Sequence, residues 1–230
     1  MTTASHPPRA LYDLARELSD EWDGLLKAAF PRAPDFDVET LGPKFVVRPI
    51  GRVVPLFVQG QRLASLEVSA SCVWDSRSRY LAVERSKFTL AADLDRTPVL
   101  RFDYARDMNV RPHSHIQMHG HRGAWSHLLS RTGHPTPHDL ASLHLPTGGA
   151  RFRPCLEDVV QFLIEECRFD QVPGWKRRVE AGRERWRRNQ LAAAVRAVPS
   201  EAARVLSELG YEITAPGTPV LDSMSALTRW

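Results

Sequence analysis

The sequence predicts an α+β protein: an N-terminal helix, an antiparallel meander sheet of five or six strands, and a C-terminal helical segment. Three observations carry this. Apolar residues between Leu11 and Phe30 recur at helical spacing, those between Ala64 and Trp74 alternate with period two, and helical stripes return from Cys155 onward. The chain has 230 residues, of which 43% are hydrophobic and 25% charged, enough to bury a real core and ordinary for a globular protein.

Leu11, Leu14, Ala15, Leu18, Trp22, Leu25 and Leu26 define the first helix, which Pro31 stops. A connector rich in Pro and Asp leads to Lys44. Short strands are expected at Phe45–Arg48 and Val53–Val58, punctuated by Pro49, Gly51 and Gly60. The clearest alternation follows, with Ala64, Leu66, Val68, Ala70, Cys72 and Trp74 on one face and Ser65, Glu67, Ser69 and Ser71 on the other. After the turn Asp75–Ser78 comes a second long strand, Tyr80–Leu90. Its apolar phase shifts between Leu81/Val83 and Phe88/Leu90, the signature of a bulge. Val99–Tyr104 and Val110–His121 complete the meander, since such short connections favour antiparallel neighbours.

The second half reads as a short helix at Trp125–Arg131, a loop-rich stretch over residues 132–153, and then three helices. Cys155–Cys167 carries a stripe of Leu156, Val159, Val160, Leu163 and Ile164. The helix after Pro173 places Trp175, Val179, Gly182 and Trp186 on one face. Ser200–Leu209 ends at Gly210. This divides the chain into a sheet domain with its N-terminal helix (residues 1–146), a helical segment packed on it (147–214) and a tail (215–230). In RFRPCLED, Glu157 and Asp158 suit the first turn of a helix.

No apolar run approaches the ~20 residues that cross a bilayer, and the first residues lack the apolar core of a signal peptide. A cytoplasmic protein without membrane association is expected. Cys72, Cys155 and Cys167 sit in apolar patterns without CxxC spacing and read as buried small hydrophobes. The formal charge of +4 comes with 27 Arg against four Lys, which permits a polyanionic partner but also fits a GC-rich coding sequence.

Eight of the nine histidines lie between His113 and His144. In the strand HSHIQMHGH, period two places His113, His115, Gln117, His119 and His121 on one face and Ile116 and Met118 on the other, toward the core. Arg101 and Asp103 of the preceding strand should share the histidine face. Three readings are open. The HxH pairs could ligate a metal, with Asp103 as a further ligand, in a metal-dependent hydrolase. The face could act without metal or cofactor, with His115 and His119 as acid and base, His113 beside them, Arg101 as phosphate ligand and Asp103 orienting an imidazole. Or it could be a hydrogen-bonded polar surface, solvated or covered by a helix.

The run PVLRFDYARDMNVRPHSHIQMHG (residues 98–120) resembles the C-terminal half of the TumE-like toxins of bacterial toxin–antitoxin pairs, where a meander ends in an Arg-Tyr-Asp-type strand followed by a loop and a His-rich segment. Arg101 matches, the order of acidic and aromatic residues differs, and His113, His115 and His119 fall in the His-rich segment. The resemblance spans residues 63–120. It implies a growth-inhibiting, toxin-like protein with an antitoxin-like protein partner; together with the His/Arg face it makes a ribonuclease-like action on RNA the leading expectation.

The segment Gly174–Gln190 carries Lys176, Arg177, Arg178, Arg183, Arg185, Arg187 and Arg188 against Glu180 and Glu184. Lys176, Arg177, Arg183, Arg187 and Arg188 are candidate phosphate contacts, which makes a non-enzymatic module binding nucleic acid or protein the alternative. A solvated face of i,i+4 pairs would look the same.

Overall fold

The computed structural model describes residues 8–75, 78–95, 97–108, 112–147 and 151–228, and the chain is an α+β fold. Helix α1 (Pro8–Ala29) buries Leu11, Ala15, Trp22, Leu25, Leu26 and Ala29, the stripe that its spacing dictates. The strands β1 (Phe36–Leu41), β2 (Lys44–Pro49), β3 (Val53–Val58), β4 (Gln61–Trp74), β5 (Leu81–Ala92), β6 (Pro98–Ala105), β7 (Ser114–Met118) and β8 (Leu145–Pro146) form one sheet. That is eight strands rather than five or six.

Two of the additional strands hide in loop-like composition. β1 lies in the stretch expected to be a connector. Only Phe36 and Val38 are buried along it, and Pro31, Pro34 and Pro43 surround it, but its backbone pairs with β2 over its whole length through a turn at Gly42 (φ 59°). β8 is two residues long, too short for any alternation, and pairs with β7 at His115 and Ile116.

β4 is the hub. Along one edge its N-terminal part pairs with β3 and Ala70–Cys72 pair with β2, while the other edge takes β5 along Ala64–Trp74. The chain passes from β2 to β3 at Gly51 and Arg52, both at positive φ (80° and 72°), where it turns back onto the same edge of β4. The bulge is present: Ser71 faces Arg85 and Cys72 faces Val83, so Glu84 is the extra residue of β5. β6 and β7 continue the antiparallel ladder.

One face of the sheet is covered by α1, α3 (Leu156–Glu165) and α4 (Trp175–Ala197). Ala64, Leu66, Val68, Ala70 and Cys72 of β4 are at most 5% exposed and share one core with Leu26, Phe30, Val160, Leu163, Trp175 and Val179. This cover stops short of β7. Ile116 is half-buried and Met118 is 55% exposed, so Met118 does not enter the core as its strand phase suggested. Asp170, after α3, ties the helical half to the sheet: its carboxylate accepts from the backbone N–H groups of Gln59 (2.8 Å) and Gly60 (2.7 Å), which make the β3–β4 turn.

α3 and α4 are joined by charge and by close packing. Arg183 donates from Nε to Asp158 (2.7 Å) and from Nη2 to Gln161 (2.6 Å). Burial by itself would raise the Asp158 carboxyl. The Cys155 thiol and backbone N–H, with Arg183, outweigh that and hold it below the usual aspartate range. Glu157, buried, lies directly over Gly182, where a Cβ would stand 2.3 Å from its Oε1. Burial holds the Glu157 carboxyl above its ordinary range.

Beyond this core lie α2 (Gly123–Arg131), a 3-10 turn at Leu140–Ser142, α5 (Pro199–Glu208) and α6 (Met224–Thr228). Among the described residues the C-terminal part therefore holds four helices rather than three, α6 falling in the expected tail, and neither α5 nor α6 has a buried residue. Among the described residues no helix is long and apolar enough to cross a membrane.

The α3–α4 contact yields a first prediction. Gly182→Ala should destabilise the fold by about 1–3 kcal/mol, the usual range for overpacking, and Glu157→Ala in the same chain should recover part of the loss. Urea unfolding measures both. A Gly182→Ala protein as stable as the parent would contradict this packing.

Candidate functional site

The pleat that sends Leu66, Val68 and Ala70 into the core sends their neighbours to the opposite face. The strand registers then assemble two polar rungs, each four strands wide: Glu67–Thr89–Arg101–Gln117 and Ser69–Lys87–Asp103–His115. Arg101, Asp103, His115 and Gln117 thus share a face, as the meander reading required. With Lys87, Arg85, Ser69 and Ser71 they line a cleft of about 350 Å³.

The charges inside are locally paired. Arg101 Nη2 stands 2.8 Å from Asp103 Oδ2, and Lys87 Nζ stands 2.8 Å from Glu67 Oε2. Among the described residues Arg101 Nε, which is buried, has no hydrogen-bond partner. Burial pushes the Asp103 carboxyl above its ordinary range; Arg101, His115 and Lys87 draw it back without cancelling the effect.

His115 is 4% exposed. Its Nδ1 lies 3.1 Å from the Pro112 carbonyl, and its Nε2 lies 4.0 Å from Asp103 Oδ2. A carbonyl can only accept, so Nδ1 carries the hydrogen and neutral His115 presents the Nε2 lone pair toward Asp103 and the cleft.

The 3-10 turn and β8 fold back over the edge of β7. Gln117 Nε2 donates to the Ala141 carbonyl (2.6 Å) and lies 3.3 Å from His144 Nε2. The His144 ring stands edge-on to His115 at 4.5 Å. Sequence reasoning left His144 in a loop. Its only signal was membership of the histidine cluster, because a two-residue strand has no period.

The remaining histidines are elsewhere. β7 ends at Met118, so the segment is a strand for five residues only. His113 precedes it, half-buried, with its carbonyl accepting from the Ala105 N–H (2.9 Å). His119 follows it, donates from its backbone to Val99 (3.0 Å), and lines a separate depression of about 310 Å³ with Asp95, Thr97 and Asp139. Four residues of strand rise put His119 about 13 Å from His115. The structure brings His115 and Asp103 together and leaves His119 apart. His121 is exposed, its Nε2 3.4 Å from the Ser126 hydroxyl. Among the described residues no three His, Cys, Asp or Glu side chains are grouped so that they could hold a metal ion.

The basic helix is partly consumed by its own fold. Lys176 pairs with Glu165 (3.0 Å), Arg183 with Asp158, Arg185 with Glu21 (3.3 Å) and Arg188 with Glu184 (2.8 Å). Arg177 and Arg187 are exposed. Arg183, whose side chain is only 16% exposed, clamps α3 and does not face a ligand.

Comparison of this chain with protein-family models, with curated proteins and with solved structures finds no match.

The burial of Asp103 can be tested by carboxyl carbon NMR. Its titration midpoint should lie above the ordinary aspartate value of 3.8 and should move further up in Arg101→Ala, which removes the charge that draws it down. A midpoint below that value, or a downward move in the variant, would contradict the described electrostatics.

Proposed function

We propose that the chain is an RNA-directed, toxin-like protein whose cleft receives a phosphodiester. The observation that carries this reading is the grouping of Arg101, Asp103, His115, Gln117 and Lys87 in one cleft. Guanidinium and ammonium groups side by side suit a phosphate. His115 offers a lone pair to a ribose 2′-hydroxyl, and its imidazolium, once formed, is stabilised by the Asp103 carboxylate. Attack of that hydroxyl on phosphorus forms a 2′,3′-cyclic phosphate and breaks the bond to the 5′-oxygen, which takes a proton from water. Asp103 also holds Arg101 against the cleft. His119, some 13 Å away by strand rise, has no part in this proton transfer and would at most contact a longer strand.

The resemblance to TumE-like toxins agrees in placing the site on the β6–β7 segment and adds an antitoxin-like partner to the proposal. A nucleic-acid module built on α4 has less support, because Lys176, Arg183, Arg185 and Arg188 already face carboxylates.

The test is expression in a bacterial host together with cleavage of a labelled single-stranded RNA by the purified protein. Growth arrest and cleavage are expected from the parent. His115→Ala should lower the cleavage rate by about 10²–10⁴-fold, the usual contribution of a positioned acid–base group, at unchanged protein level. Because Asp103 must be ionised to hold Arg101, activity should fall on the acid side at a pH above that where an exposed aspartate titrates. A harmless parent that leaves RNA intact, or a His115→Ala protein as active as the parent, overturns the reading.

A further inference from the structure

The end of α4 and the whole of α5 turn apolar residues outward. Leu191, Ala194, Val195 and Val198 recur at i, i+3, i+4 and i+7, and Ala202, Val205, Leu206 and Leu209 repeat that spacing after the break at Pro199. Such spacing gives each helix one apolar stripe, the stripe that a helix normally buries. Here Leu191 is 65% exposed and Leu209 70%, and Val195, Val205 and Leu206 are exposed as well. The segment is nonetheless held in place. Asp222 accepts from the Ser200 N–H (3.1 Å) and from the Ser200 hydroxyl at the start of α5, and the Ser223 N–H donates to the Ala197 carbonyl (2.7 Å). These bonds return the chain to the α4–α5 junction and bring Leu221 and Met224 with it, both exposed.

α5 has ten residues, none of them buried among the described residues. A helix of that length is marginal in water by itself, so α5 needs a surface to pack on. At their exposures the seven large side chains leave open an area on the order of 800 Å², as much as each partner contributes to a specific interface. Exposed apolar surface of this extent marks a site of association.

The charges select the occupant. Every charged side chain from Leu191 to Leu209 is already engaged within the chain: Arg196 lies over the Tyr80 ring at 4.4 Å, and Arg204 pairs with both Glu201 and Glu208. The face therefore offers no unpaired charge to attract a partner of opposite sign, and none to repel its own image. At a two-fold axis a residue meets its own kind, which small and aliphatic side chains tolerate and like charges do not. A second copy brings an equal apolar area, and two helices from each copy supply the four that a bundle packs.

We infer that the outward stripes of α4 and α5 form a two-fold interface whose occupant is a second copy of this chain. The inference does not rest on the RNA reading, since α4 covers the face of the sheet opposite the cleft.

Sedimentation equilibrium of the full chain, from micromolar to submillimolar concentration, tests it. A reversible monomer–dimer equilibrium is expected. Val195→Asp and Leu206→Asp should each raise the dissociation constant by at least about tenfold, because the new carboxylate faces apolar side chains and its own counterpart across the axis. Leu94→Asp, which changes a fully exposed leucine in the β5–β6 turn, should leave the constant unchanged. All three positions are exposed, and circular dichroism checks that each variant is folded. A chain that stays monomeric at every concentration, a dimer undiminished in both stripe variants, or a dimer weakened as much by Leu94→Asp would overturn the inference.

Discussion

The pleat of β4 is the constraint on which the rest of the structure depends. From Ala64 to Cys72 the strand alternates without interruption, so burying Ala64, Leu66, Val68, Ala70 and Cys72 obliges Ser65, Glu67, Ser69 and Ser71 to face the other way. β5 and β6 inherit that phase through the ladder, which shifts register at Glu84 and again at Val99, beyond the Arg101–Asp103 segment. A one-residue slip between β5 and β6 would carry Arg101 and Asp103 into the apolar core. Hydrophobic burial on one side thus specifies the register of the charged residues on the other. The cleft is a consequence of the core rather than an addition to it.

Within the cleft the arrangement sets burial against charge pairing. Covering the polar face near β7 with the 3-10 turn and His144 takes Asp103 out of water, which penalises its charge. Arg101 and Lys87 recover part of that penalty for Asp103 but not all of it. The site therefore keeps a carboxylate under strain beside an imidazole whose Nδ1 is fixed by a backbone carbonyl. Perturbed groups in a cleft, with a defined tautomer beside them, are features by which functional sites differ from solvated surfaces.

The long alternation of β4 and the helical stripes of α1 and α3 made the fold class legible in the sequence, because each presents its period many times. The same period put Arg101, Asp103, His115 and Gln117 on one face before any register was known. What escaped was nonlocal or too short to have a period. β1 offers two buried residues among prolines. β8 offers two residues in all, yet it brings His144 to His115. The segment from Val110 to His121 read as one strand, of which Ser114–Met118 is strand; Val110 and Arg111 lie outside the described residues. With β7 ending at Met118, His119 falls beside Asp95, Thr97 and Asp139, in a different depression. Lys87, central to the cleft, carried no motif at all. Only its pairing with Asp103 across β5 and β6 reveals it. The arginines of α4 illustrate the converse. Their density was visible, but their carboxylate partners in α1 and α3 were not.

We propose that an RNA phosphodiester occupies the polar cleft of the sheet. Amide and side-chain NMR of the full chain, titrated with a short RNA that is 2′-O-methylated and so resists cleavage, tests it most directly. The largest shifts should include Lys87, Arg101, Asp103, His115 and Gln117, and should vanish in Arg101→Ala. Shifts confined to Lys176–Arg188, or none in the cleft at saturating RNA, would contradict it.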